Sequence, residues 1–207
     1  MAVSDPSSEH EHDEDATPAR KRPRPGERRL QILQTLVAML EQPGAERVTT
    51  AGLAAKIGVS EAALYRHFAS KAQMFEGLID FVDQSAMGLI RQVTDRESAG
   101  PQQAGRIVAL LFQFAEKNPG MSRVMNGDAL VLEHERLQER INLLFDKIEA
   151  QLRQSLKTSD TATPTADAQV AASLLVAFMQ GRLQRFARTG FKRLPSEHLQ
   201  AALARML

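Results

Sequence analysis

A chain of 207 residues, 43% of them hydrophobic, is long enough for one globular domain or for a small head with a larger body. It has no cysteine, which excludes disulfides and thiolate chemistry and fits a reducing cytoplasm. The net charge of +1 hides a division: residues 1–17 carry six acids and no Lys or Arg, which leaves 19 acids against 26 basic residues elsewhere, a net +7 suited to a polyanionic partner. No apolar run approaches the roughly 20 residues needed to cross a bilayer. The acidic N-terminus lacks the apolar stretch of a secretory signal.

Residues 1–25 are rich in Ser, Pro, Ala and charge and show no apolar periodicity, so they are expected to be a disordered tail. The tail closes on Arg20, Lys21, Arg22 and Arg24, with Arg28 and Arg29 just beyond. Such a cluster reads either as a solvated tail or as an arm that neutralises phosphates or enters a minor groove. His10 and His12 flank Glu11, but a metal site needs more ligands on a rigid frame, so no metal is expected.

A first helix is predicted from Glu27 to about Gln42, with Leu30, Leu33, Val37 and Leu40 in one stripe, Leu36 beside it, and Pro43-Gly44 as its stop. Next, Thr49 and Thr50 stand before AGLAAKI and can cap a second helix whose inner face is Leu53, Ala54 and Ile57. Gly58 ends that helix, Val59 plugs the turn, and Ser60 caps a third helix, EAALYRHF. At about 100° per residue, Leu64 and Phe68 face inward, Ala62, Ala63 and Arg66 face out, and Tyr65 and His67 flank them.

Two short helices, a tight glycine turn and a small-residue outer face form the helix-turn-helix pattern. The third helix would enter a major groove. Arg66 could bond a guanine edge or a phosphate, the two alanines could touch thymine methyls, and Tyr65 and His67 could hold phosphates. Ser70 opens the next helix with Gln73 in capping-box spacing, and Lys71 in its first turn is placed for a phosphate. That helix, with Met74, Phe75, Leu78, Ile79 and Val82 on its apolar face, is predicted to run to about Val93 and to link head and body.

Beyond a loop at Asp95 to Gln103, Ile107, Leu110, Leu111 and Phe114 mark another amphipathic helix, broken at Lys117-Asn118-Pro119-Gly120. Met121 to about Leu132 reads as a short helix or irregular turns. A helix of about six turns follows from Glu133 through Leu156, with Glu149 and Arg153 at a favourable i, i+4 spacing. Thr158 to Ala166 reads as a linker. Val170 to about Arg188 is a widely apolar helix ended by Gly190, and a last helix starts at Pro195-Ser196-Glu197 with Leu199, Leu203 and Leu207. These two late helices are expected either to be buried in the monomer or to pair with their symmetry mates as a four-helix interface. A dimer also suits the head, since two recognition helices about 34 Å apart would read a pseudo-palindrome.

The segment TTAGLAAKIGVSEAALYRHFASKAQMF resembles the N-terminal domain of TetR-type transcriptional regulators. The resemblance implies an all-α homodimer with a three-helix helix-turn-helix head and a helical dimerisation body. The expected division is a tail at 1–25, a DNA-binding head at 26–72 and a body at 73–207. By the same resemblance Thr49, Thr50, Ser60, Glu61, Ala62, Ala63, Tyr65, Arg66, His67 and Lys71 fall where the family meets DNA.

The blocks SEAALYRHFASKAQMFEGLIDFV and Glu116 to Gln154 are similar to one branch of that family. The branch implies binding to palindromic sites across the chromosome and, while on DNA, to the C-terminal tail of the division protein FtsZ, which stops division over unsegregated chromosomes. Phe81, Leu110, Lys117 and Asn118 fall at the matching tail-binding positions. From the residues alone, Phe81 and Leu110 read as core, and Lys117 and Asn118 as a helix end. A cationic, partly apolar groove also suits an acidic peptide with apolar anchors.

The implied location is the cytoplasm, on the nucleoid. The competing expectation is a ligand-responsive TetR-type repressor, against which stands a body with no Trp or Tyr to line a small-molecule pocket. No Gly-rich phosphate loop, metal motif or cysteine nucleophile supports an enzyme, His134 has no obvious serine partner, and no cofactor is expected.

Overall fold

One threonine and two serines set the starts of the helices that matter most. In a computed structural model describing residues 26–42, 48–130, 133–157 and 164–207 (Pro164 in its backbone only), Thr49 accepts from the Gly52 N–H at 3.1 Å and opens α2 (Thr50–Ile57). Ser60 accepts from the Ala63 N–H at 3.3 Å and opens α3 (Glu61–Tyr65). Ser70 accepts from the Gln73 N–H at 3.1 Å and caps α4 (Lys71–Thr94), while the Gln73 side chain reaches back one residue past the capping-box position and accepts from the Ala69 N–H at 2.7 Å. Gly58 closes α2 at φ 77°, and both the Gly58 and Val59 N–H groups bond back to the carbonyl of Ala54.

The other helices are α1 (Glu27–Leu40), α5 (Pro101–Lys117), α6 (Pro119–Met125), α7 (Glu135–Leu156), α8 (Pro164–Arg188) and α9 (Leu199–Met206), with a 3-10 turn at Asp128–Leu130. No strand occurs among the described residues, and the fold is the all-α, TetR-like architecture. No described helix is long and apolar enough to cross a membrane. The tail at 1–25, the Pro43-Gly44 stop and positions 158–163 of the expected linker lie outside the described residues.

The helices pack as a head of α1–α3 carried on α4, which continues into a body where α7 and α8 form the most extensive pair. One core runs without a break from Ile32, Leu36, Leu53 and Leu64 through Phe75, Leu78 and Val82 to Phe112, Ile148 and Leu183. Head and body therefore share packing through α4. At α6 the backbone comes close to α1: a Cβ on Gly120 would lie 2.4 Å from the Val37 carbonyl oxygen. Only glycine fits there, so Gly120 is a second point where body meets head.

Several expectations shift. The stripe of α1 that enters the core is Ile32, Leu36 and Leu40, whereas Leu30 is exposed and Leu33 and Val37 are only partly covered. The third helix stops at Tyr65, with the Phe68 N–H still bonded to the Leu64 carbonyl at 3.1 Å. Arg66 and His67 thus lie on its trailing turn. His134 is the N-cap of α7, accepting from the Arg136 N–H, so the helix starts two residues later than Glu133. Glu149 and Arg153 are bridged by Gln169, which donates to the first at 2.6 Å and accepts from the second at 3.0 Å.

Helix α8 begins at Pro164, six residues early, because proline is tolerated in a first turn whose N–H groups have no helical partner. Helix α9 begins late, at Leu199. Ser196 and Glu197 are engaged elsewhere, the first donating its N–H to Glu116 at 2.9 Å and the second pairing with Arg185 and Arg193. Leu199 and Leu203 are buried within the monomer.

Candidate nucleic-acid interface and the groove beside it

The caps on Thr49, Ser60 and Ser70 all fall within 22 residues, and each fixes where a helix N-terminus points. Thr49, Ser60, Glu61, Ala62, Tyr65, Arg66 and His67 are exposed on the resulting surface, and Thr50, Ala63 and Lys71 are half-buried at its edge. The Thr50 hydroxyl donates to Glu61 at 2.6 Å and ties α2 to α3. Behind this surface, Leu64 and Phe68 are buried, as their spacing requires. Arg29, grouped by sequence with the basic arm, instead braces the head: its guanidinium donates to the His67 carbonyl at 2.8 Å and stacks 4.0 Å from the centre of the Phe68 ring. Exposed Ala62 and half-buried Ala63 keep the outer side of α3 free of bulky side chains, so its backbone can approach a surface closely, and the cations and hydroxyls around them match phosphate contacts.

Lys71 departs from its expected place. Its ammonium is paired with Glu133, across 62 residues of sequence, rather than free toward solvent. Below it Glu76 pairs with Arg136 at 2.7 Å, Asp80 with Arg140, and Asp83 with Lys147 at 3.0 Å. These four ion pairs join α4 to α7 and the residue before its cap.

On the body side, Phe81 is not core. It is 48% exposed, with its ring 6.3 Å from that of Phe114. Leu110 is half-buried, Lys117 is exposed, and Leu110, Phe114 and Lys117 follow one another along one side of α5. Asn118 caps α5, donating to the Phe114 carbonyl at 2.7 Å. Phe81 and Asn118 also line a cleft of about 310 Å³ whose other wall is α1, through Leu30, Leu33, Val37 and Ala38, with Leu78 and Met121 at its base. Sequence reasoning missed Phe114 and the α1 residues. The available signal was a second apolar stripe on α1, beyond what three head helices need to cover. Among the described residues no group of three His, Cys, Asp or Glu side chains could hold a metal ion.

A helix-turn-helix head on a long helical body is the architecture of a bacterial DNA-binding regulator. Residues 32–78 match the model of bacterial regulatory proteins of the tetR family, and residues 102–206 match the SlmA-like tetracyclin repressor-like C-terminal domain. Curated nucleoid occlusion factors SlmA are similar over most of the chain. That of Idiomarina loihiensis is 48% identical over 177 residues, covering 84% of this chain and 90% of its own. That of Shewanella woodyi is 47% identical over 176 residues, covering 84% and 89%. Among solved structures, the TetR family regulator PfmR from Thermus thermophilus superposes with a TM-score of 0.65 at 18% identity, over 86% of this chain and 94% of that one. FadR from Bacillus subtilis, solved with stearoyl-CoA, gives 0.65 at 13% identity, over 86% and 96%. These two show the fold alone. The chain belongs to the SlmA nucleoid occlusion factors, a branch of the TetR family. The ligand-responsive alternative fits these relatives less well.

Proposed function

We propose that this protein binds palindromic chromosomal sites as a homodimer and, while bound, engages the C-terminal tail of FtsZ to prevent Z-ring assembly over the nucleoid. Its place is then the cytoplasm, on the nucleoid, and it has no catalytic role. The head, residues 26–72, meets DNA through Thr49, Thr50, Ser60, Glu61, Ala62, Ala63, Tyr65, Arg66, His67 and, after a rearrangement, Lys71. The body, residues 73–207, meets the tail through Phe81, Leu110, Lys117 and Asn118, with Phe114 added.

The observation that carries this reading is the shared wall of the cleft. Head helix α1 forms one side, and body residues Leu78, Phe81, Asn118 and Met121 form the other. Any shift of the head that accompanies docking on DNA must reshape that cleft, which gives DNA a physical route to the partner's affinity. The cleft's apolar walls suit apolar anchors of a peptide, its one charged lining residue is Glu41, and the exposed Lys117, next in sequence to Asn118, supplies a cation outside the lining for an acidic flank.

Support for a dimer comes from α7 and α8 rather than from α9. Val170, Leu174, Ala177, Gly181 and Gln184 are exposed along α8 at alternating steps of four and three, a seam that a second helix can enter. Val170 and Leu174 remain 60% and 55% exposed, and Leu143 stands out on the neighbouring α7.

Anisotropy of a labelled FtsZ tail peptide, titrated with protein alone and with protein on a cognate palindrome, tests the proposal. Tighter binding on DNA is expected. Equal affinity in both titrations would remove the conformational link, leaving only co-localised multivalency.

A further inference from the structure

The four ion pairs between α4 and α7 do not all run the same way. In the lower three, α4 supplies the acid (Glu76, Asp80, Asp83) and α7 the base (Arg136, Arg140, Lys147). In the uppermost the order inverts: Lys71 on α4 is the base, and Glu133, just ahead of the α7 cap His134, is the acid. The inversion falls at the rung nearest the recognition helix, five residues after Arg66.

Lys71 occupies the first position of α4, a helix with no acid in its first turn. The helix N-terminus repels a cation, so an ammonium there needs an anion. Within the folded chain that anion is Glu133. The pair is largely shielded, with the side chains 24% and 13% exposed, and the Lys71 ammonium lies 5.7 Å from the centre of the Phe75 ring. On a docked duplex, a backbone phosphate beside Arg66 and His67 would approach the same ammonium and the same helix N-terminus. One lysine cannot neutralise both a phosphate and a shielded carboxylate a few ångströms apart, because the two anions repel each other.

We propose that Glu133 is an internal competitor for DNA at Lys71: a carboxylate that holds the phosphate's place in the free protein and must be displaced when DNA docks. The proposal rests on the reading of Lys71 as a phosphate contact. Displacing Glu133 opens the top rung between α4 and α7 and leaves the three lower rungs formed. The head end of α4 is then free to move with α1–α3, and Leu78 and Phe81 lie about two and three turns below on the same helix. By reciprocity, a peptide that prefers the opened rung strengthens DNA binding by the same factor.

The test is a double-mutant cycle of Glu133→Gln and Lys71→Gln in the full-length dimer, read by anisotropy with a cognate duplex over a series of salt concentrations. Glu133→Gln is expected to tighten DNA binding about fivefold. Lys71→Gln should weaken it and lower the salt slope by about one. In the Lys71→Gln background, Glu133→Gln should then do nothing. A second readout is the FtsZ tail peptide without DNA, which Glu133→Gln should bind more tightly than the parent. If Lys71→Gln binds duplex like the parent at every salt, the phosphate reading of Lys71 fails and the competition with it. If Lys71→Gln weakens binding but Glu133→Gln has no effect, or acts equally in both backgrounds as a plain surface charge would, the competition alone is overturned.

Discussion

The proposed DNA-facing surface and the proposed partner cleft are built in opposite ways. The first is local: its ten candidate residues fall between Thr49 and Lys71, and three side-chain caps within that stretch fix its helices. The second is assembled from distant segments, α1, the middle of α4 and the α5–α6 junction, and has no local motif. A locally encoded surface keeps its shape while the whole head moves. An assembled one changes as its walls shift. That difference suits one to reading a rigid duplex and the other to reporting that reading has occurred.

Arg66 carries the largest expected effect. Arg66→Ala should weaken binding to a cognate duplex by about 2 kcal/mol and leave the dimer and the peptide cleft intact, which anisotropy and sedimentation would check. Parental affinity at matched salt for both this variant and Thr49→Ala would refute the docking surface. Next in size is Gly120→Ala, which forces α6 away from the Val37 carbonyl and should cost about 1–2 kcal/mol in denaturant unfolding. It should also uncouple peptide affinity from DNA, because the head–body contact is what it disturbs. If stability and coupling are both unchanged, the close approach of α1 and α6 is not what shapes the cleft.

Phe81→Ala sharpens the contrast from the other side. An exposed ring contributes little to folding, so stability should fall by less than about 1 kcal/mol, and DNA binding should hold, while peptide binding drops about tenfold. A large loss of stability would return Phe81 to the core. The smallest effect belongs to Leu30→Ser on the first turn of α1, where the side chain is 57% exposed. It should weaken the peptide about twofold with no change on DNA, since only the rim of an apolar contact is lost.

The head was legible in the sequence because its determinants act over three or four residues. Capping serines and threonines, a glycine turn and the Leu64–Phe68 spacing each specify a conformation that depends little on the rest of the chain. Even there, the end of α3 at Tyr65 and the bracing role of Arg29 could not be read, since both depend on contacts between separate helices. In the body, helical periodicity found the elements and most of their inward faces, such as Leu137, Ile141, Leu144 and Ile148 on α7, but in the head it did not settle the inward stripe of α1. On α1 two apolar stripes compete, and the packing of α4 and α6 decides that Ile32 and Leu36 go in while Leu30 faces the cleft. Phe81 shows the same limit, because an aromatic at helical spacing reads as core unless the neighbouring helix fails to cover it.

The amino-acid order alone determined the all-α class, the helix-turn-helix, most of its exposed residues and, through resemblance, the family. These follow from short-range hydrogen bonding and steric preference, which a linear pattern records. Tertiary structure alone decided the partner of Lys71, the composition of the cleft and the exposed apolar seam on α8. Those depend on which surfaces meet when helices far apart in the chain pack together, and on which charges that packing leaves facing one another.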